Sequence, residues 1–146
     1  MSAPSLSIAI VGAGALGTYY GTRLAVAGCD VSFLMRSDLE AVRANGIRIV
    51  EKSGGIRHAP VQAFATTAEI GPVDLVLVTL KTTANPLLAD LLPPLMHDRT
   101  MVVTLQNGLG NEELIADLVG AERVLGGLCF IAVNRTGPGQ LQGFHS

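Results

Sequence analysis

With 146 residues, 49% of them hydrophobic and only 15% charged, the chain carries enough apolar material for one well-buried domain and falls outside the disordered class. A net charge of −2, no Lys/Arg cluster and no Trp exclude a nucleic-acid surface, which needs a basic footprint or a stacking platform. The longest apolar stretch, 73–80, contains Asp74 and is far too short to span a bilayer, and no Lys or Arg precedes the first apolar run as a secretory leader requires, so a cytoplasmic protein without a membrane partner is expected.

Leu6 to Val11 reads as an apolar strand, Gly12-Ala13-Gly14-Ala15-Leu16-Gly17 as a glycine loop, and the residues from about Ala15 to just before Gly28 as a helix. A glycine pattern of this spacing is weak alone and informative between a strand and a helix, where it is the dinucleotide fingerprint. Gly12 permits the tight turn, Gly14 lets the backbone approach a pyrophosphate, and Gly17 lets the helix pack close to the strand. The helix start adds unpaired N–H groups and the positive dipole end at the same spot. The purely structural alternative is a tight strand-to-helix turn.

Val31–Met35 follows as a second strand with Arg36 at its end, and Ser37-Asp38-Leu39-Glu40 has capping-box form for a short helix to about Ala44, closed by Asn45-Gly46. The β-rich runs 47–51 and 56–64 around Ser53-Gly54-Gly55 predict a hairpin. Val73–Leu80 is nearly continuous in apolar residues, as in a parallel strand covered on both faces. Helices over 83–92, ended by Pro93-Pro94, and over 112–119, capped by Asn111 and Gly120, supply the cover; Met101–Leu105 is a buried strand between them and Val124–Val133 a final one. Residues 135–139 read as a turn and 140–145 as a returning strand with an uncovered edge, which suggests a piece of a longer protein. The alternation predicts an α/β fold, a doubly wound, mainly parallel Rossmann-type sheet with a hairpin insertion, over a single domain, 1–146.

Ligands of such sheets sit beyond the carboxyl ends of the strands, which singles out the glycine loop, Arg36, Lys81 and Asn107. An NAD site places Asp or Glu after the second strand to accept from the ribose 2′-hydroxyl, whereas Arg36 beside Ser37 suits a 2′-phosphate; one charge-assisted contact of this kind is worth about 1.5–3 kcal/mol. Asp38 is the alternative NAD acid, and a solvated surface arginine the alternative reading of Arg36. Lys81 can equally be a solvated strand-end lysine, and Asn107-Gly108 a turn dipeptide. Cys29, at a helix–strand junction, and Cys129, on a buried strand, are read as reduced small hydrophobes. His58, His97 and His145 share no ligand spacing, so no metal site is expected, and no Ser/His/Asp set or carboxylate pair suggests hydrolysis.

On residues 10–17, Leu34-Met35-Arg36, Val76–Thr82, Leu105–Glu112 and the Arg135-Thr136-Gly137 turn, the chain resembles the amino-terminal domain of the ketopantoate reductase family, the 2-dehydropantoate 2-reductases, over essentially its whole length. The resemblance implies a reductase that passes hydride from NADPH to a 2-keto acid, giving pantoate from 2-dehydropantoate on the route to pantothenate and coenzyme A. It implies NADP(H) contacts at Gly12, Ala13, Gly14, Ala15, Leu16, Gly17, Arg36, Lys81, Asn107 and Val133, with Asn107 also meeting substrate. It further implies that the proton-donating lysine and its glutamate partner lie in a helical carboxyl-terminal domain outside this chain, leaving no catalytic residue here, and that the full-length protein can form a homodimer. Thr82-Thr83-Ala84-Asn85 departs from the aromatic or glutamine that often follows the family's lysine, which leaves the choice of 2-keto acid open. Two other readings stand beside this one: a domain of another NAD(P)-dependent hydroxy-acid or sugar-phosphate dehydrogenase, and a non-catalytic dinucleotide-sensing module.

Overall fold

The computed structural model describes residues 5–129 and 131–143. In chain order the elements are β1 (Ser7–Val11), α1 (Ala15–Val26), β2 (Asp30–Leu34), α2 (Leu39–Asn45), β3 (Ile47–Glu51), β4 (Gly54–His58), β5 (Gln62–Phe64), α3 (Thr67–Ile70), β6 (Leu75–Val78), α4 (Leu88–Leu91), β7 (Met101–Thr104), α5 (Asn111–Val119), β8 (Val124–Gly126), β9 (Val133–Gly137) and β10 (Gln140–Gly143). Tight 3₁₀ turns cover Thr82–Leu87, Pro93–Leu95 and Ala121–Arg123.

Six strands form one parallel sheet in the order β5-β2-β1-β6-β7-β8. The chain therefore runs outward from β1 through β2 to β5, then returns past β1 to β6 and continues the other way. That reversal opens a crevice at the carboxyl ends of β1 and β6, the place where sheets of this winding bind ligands. Ile8 and Ile10 of β1 enter one apolar cluster, Ala9 and Val11 the other, and all four have no exposed surface. Each such Ile or Val contributes about 1.5–3 kcal/mol by leaving water, so the central strand is fixed from both faces.

A second sheet, β4-β3-β10-β9, lies across α1, which contacts β1 and β2 on one side and β3, β4 and β9 on the other. Ile47 and Ile49 of β3 and Leu141 of β10 belong to the same buried cluster as Ile8, Ile10 and Phe33. The hairpin insertion is thus a wall of the domain. The strand β10 pairs parallel with β3 and antiparallel with β9, so the uncovered edge expected for it is absent: both of its sides are taken. Residues 144–146, the end of that expected strand, lie outside the described residues.

Four further expectations need correction. The run 56–64 is two strands in different sheets, because Pro60 has no N–H for a ladder; β4 stays with β3, and β5 pairs with β2. The first half of the helix expected over 83–92 is 3₁₀, since Pro86 inside it removes a donor and crowds the preceding turn, leaving α4 a single turn. The strand 124–133 stops at Gly126, where Gly126-Gly127 weaken it, so the half-buried Cys129 is outside any strand. The caps also differ. The Ser37–Glu40 capping box does not form, and Asp38 stands at the N-cap of α2 without a side-chain cap hydrogen bond; α5 begins at Asn111 after Gly110 at φ +89°, while a reciprocal capping box forms at Thr66 and Glu69 in front of α3.

Candidate dinucleotide-binding site

The glycine loop is clamped from below by the end of β6. Thr79 N–H donates to the Val11 carbonyl at 2.9 Å, and its hydroxyl donates to the carbonyl of Gly12. Gly12 has φ +107°, and a Cβ there would lie 2.5 Å from the Leu80 nitrogen. A Cβ on Gly17 would overlap the Gly12 carbonyl and the Thr79 hydroxyl, so this glycine does allow α1 to press against the loop. Gly14 is unlike both. It is exposed, and a Cβ built on it meets nothing within 4 Å. It stands at the N-cap of α1 with no side-chain cap and no acidic residue in the first turn, which leaves the first N–H groups of a twelve-residue helix facing the crevice. The open space over Gly14 and those unpaired donors fit a diphosphate.

A groove of about 640 Å³ runs along this crevice, lined by Gly12, Ala13 and Gly14, by residues 34–38 after β2, by Thr79, Leu80 and Lys81 after β6, and by Arg135 of β9. Arg36 is exposed on its wall, and its side chain has no hydrogen-bond or ion-pair partner among the described residues. An adjoining hollow of about 260 Å³ is lined by Leu16, residues 79–82 and Leu105, Gln106 and Asn107. Lys81 borders both spaces, so it stands between the end that holds Arg36 and the end that holds Asn107. The structure thereby brings Gly12, Ala13, Gly14, Leu16, Arg36, Lys81 and Asn107 to one continuous surface. Ala15, Gly17 and Val133 line neither space; Ala15 and Val133 pack against the first apolar cluster.

Sequence reasoning missed the residues that hold these loops. Gln106 Nε2 donates to the Leu80 carbonyl at 3.0 Å and to Asn85 Oδ1 at 2.6 Å; Asn85 Nδ2 donates to Asn111 Oδ1 at 3.1 Å. Asn111, buried, donates in turn to the carbonyls of Asn107 and Gly108 at 3.1 and 3.3 Å. This chain of amides ties the Lys81 loop to the Asn107 loop across two strand ends. Its signal was the set of amide side chains at 85, 106 and 111, of which only Asn111 has an expected local role, as a helix cap. The positive φ values in that loop belong to Gly108, at +98°, and Gly110, at +89°, and not to Asn107.

The other missed partner is Arg135, ninety-seven positions from Asp38 and joined to it by Nη2 to Oδ1 at 2.6 Å and Nε to Oδ2 at 3.2 Å. The Arg135 hydrogen bond is the main cause that holds the Asp38 carboxyl below the usual carboxylate range; burial opposes it, and the Gly139 N–H adds to it. The same pairing keeps Arg135 more firmly protonated. Of the histidines, His58 lies on β4 and His97 faces Asp74 at 3.4 Å at the opposite, amino-terminal end of β6; His145 lies outside the described residues. Among the described residues no cluster of His, Cys, Asp and Glu could hold a metal ion, and no helix is long and apolar enough to cross a membrane.

A parallel sheet of this strand order, a glycine loop at its reversal point and a groove over the carboxyl ends of the strands define a Rossmann-type dinucleotide-binding domain. The chain belongs to the ketopantoate reductase PanE/ApbA family, whose model matches residues 8–145. The 2-dehydropantoate 2-reductase of Nostoc sp. strain PCC 7120 is 45% identical over 133 residues, 91% of this chain and 42% of that protein. The crystal structure of 2-dehydropantoate 2-reductase from Geobacter metallireducens GS-15 aligns with a TM-score of 0.94 at 49% identity, covering 97% of this chain and 47% of that one. D-mandelate dehydrogenase, solved with NADH and anilino(oxo)acetate, aligns at 0.86 and 25% identity over 97% of this chain and 46% of its own. The chain spans about half the length of the relatives it matches.

Proposed function

We propose that the chain is the NADPH-binding half of a cytoplasmic 2-keto acid reductase, with 2-dehydropantoate as the substrate of the complete protein. The observation that carries the coenzyme choice is Arg36: it follows β2 beside Ser37, lines the groove that starts at Gly14, and has no partner among the described residues. In this reading the N–H groups at the start of α1 hold the pyrophosphate, Arg36 holds the 2′-phosphate, and Lys81 and Asn107 hold the coenzyme near the substrate end. The nicotinamide supplies the hydride. The amide chain from Gln106 to Asn111 keeps Lys81 and Asn107 in register, which is the positioning that hydride transfer depends on.

Titration of the 146-residue chain with each coenzyme tests the reading. NADPH is expected to bind about ten- to a hundredfold more tightly than NADH, the equivalent of one charge-assisted phosphate contact, and Arg36→Ala to remove most of that difference. Equal binding of both coenzymes, unaffected by the substitution, overturns it. The proton donor for the developing alkoxide is assigned to residues outside 1–146, so the same preparation is expected to bind NADPH and to oxidise it no faster in the presence of 2-dehydropantoate than in its absence. Robust turnover would move that role onto a residue of this chain. An NADH-dependent 2-hydroxy-acid dehydrogenase is the second reading, favoured by Asp38 on the groove wall and by the NADH-bound mandelate enzyme of the same fold.

A further inference from the structure

Asp38 lies in the groove, twenty-one residues after Gly17, close to where a dinucleotide fold keeps the acid that accepts from an adenosine 2′-hydroxyl. Left free, it would favour NADH and repel a 2′-phosphate. It is not free. Both carboxylate oxygens accept from the Arg135 fork, and the Gly139 N–H donates to one of them at 3.3 Å. The Asp38 side chain is 13% exposed and the Arg135 side chain 46%. The hairpin is seated closely enough for this: a Cβ on Gly139 would lie 2.9 Å from the Gly46 carbonyl oxygen, and only glycine adopts its φ of +69° without strain. Asp38 gives up the capping of α2 in exchange. Meanwhile Nη1 of Arg135 has no protein partner among the described residues, and Arg135 shares the groove lining with Arg36.

We propose that Arg135 is a specificity-determining residue of the coenzyme groove: it occupies the Asp38 carboxylate, which would otherwise select an unphosphorylated ribose, and adds a second positive charge beside Arg36 for a 2′-phosphate. The second sheet thus contributes directly to coenzyme choice, through β9 and the β9–β10 turn. The inference rests on the NADPH reading above and deepens it. A fork that grips one carboxylate through two parallel bonds is the geometry in which arginine is not replaceable by lysine.

The test compares dissociation constants for NADPH and NADH, measured calorimetrically on the whole 146-residue chain and on Arg135→Gln, Arg135→Lys, Asp38→Asn and the double variant Asp38→Asn/Arg135→Gln, with Arg36→Ala as reference. Arg135→Gln is expected to lower the NADPH-over-NADH preference about tenfold or more, Arg135→Lys by about threefold, and the double variant to recover part of the loss because the freed carboxylate is gone. Asp38→Asn alone is expected to keep the preference or raise it. A purely structural tie between the hairpin and α2 predicts something else: equal weakening of both coenzymes, with the ratio unchanged. That outcome, alongside a loss of preference in Arg36→Ala, overturns the role of Arg135 and leaves the NADPH reading intact. No preference in the unaltered chain overturns both. Arg135→Lys keeps the charge and one hydrogen bond, so it decides the matter if Arg135→Gln does not fold.

Discussion

Gly14→Val is expected to leave the fold standing and to weaken NADPH binding by at least about a hundredfold, or ~2.7 kcal/mol. The two halves of that result come from one fact of geometry. The backbone at Gly14 has φ −76° and ψ −163°, an extended conformation that a β-branched residue adopts readily, and its Cβ would point into space where no protein atom lies within 4 Å. The cost to the protein is confined to a poorer N-cap for α1, about 1 kcal/mol, and so a shift of a few degrees in the thermal midpoint. The cost to the ligand is larger because that space is the approach path to the N–H groups of the first turn. Thermal melting of the unliganded chain and calorimetric titration with NADPH separate the two. Unchanged binding in a folded Gly14→Val protein would mean that no pyrophosphate sits on this loop.

The contrast among the three glycines marks how far the sequence could be read. Their spacing between a strand and a helix was sufficient to place the loop, because each position has a separate steric reason and the flanking elements are strongly patterned. The same holds for the central strands: Val76 and Val78 are buried without interruption, and a continuous apolar run has few other homes. Legibility fails where a residue's partner is distant in the chain. Nothing near Asp38 announces Arg135, and nothing near β3 announces that β10 will pair with it, since strand pairing across ninety residues leaves no local period. It also fails where a local rule has two outlets. Asp38 and Asn111 are both good helix caps by type, and both spend their side chains on other elements, where tertiary hydrogen bonds win over a cap worth about 1 kcal/mol.

Those two exceptions fall at the groove. Asp38 is bound by Arg135 at the adenosine end, and Asn111 holds the Asn107 loop at the other end. Conflicts between local propensity and final structure concentrate where geometry is set for a ligand, because only there does a departure from the local optimum secure something else. The glycine loop follows the opposite pattern, with local and tertiary demands agreeing at Gly12 and Gly17.

That agreement makes Gly12→Ala a strongly destabilising substitution, by about 2–6 kcal/mol. A Cβ at φ +107° carries a conformational penalty of about 1–3 kcal/mol. It would also lie 2.5 Å from the Leu80 nitrogen and 2.8 Å from the Thr79 carbonyl carbon, both backbone atoms at the end of a strand buried on both faces, which cannot rotate away as a side-chain tip could. Separating β1 from β6 to admit the methyl would loosen the Thr79 hydrogen bonds to Val11 and Gly12 and adds overpacking strain of about 1–3 kcal/mol. Urea unfolding of the chain without coenzyme measures this loss directly, as a lower midpoint at an unchanged slope. Gly14→Val in the same assay serves as the internal control, nearly level with the unaltered chain. If Gly12→Ala unfolds at the same urea concentration as that control, the loop is not held against β6, and the crevice between β1 and β6 has no fixed floor on which a coenzyme could be placed.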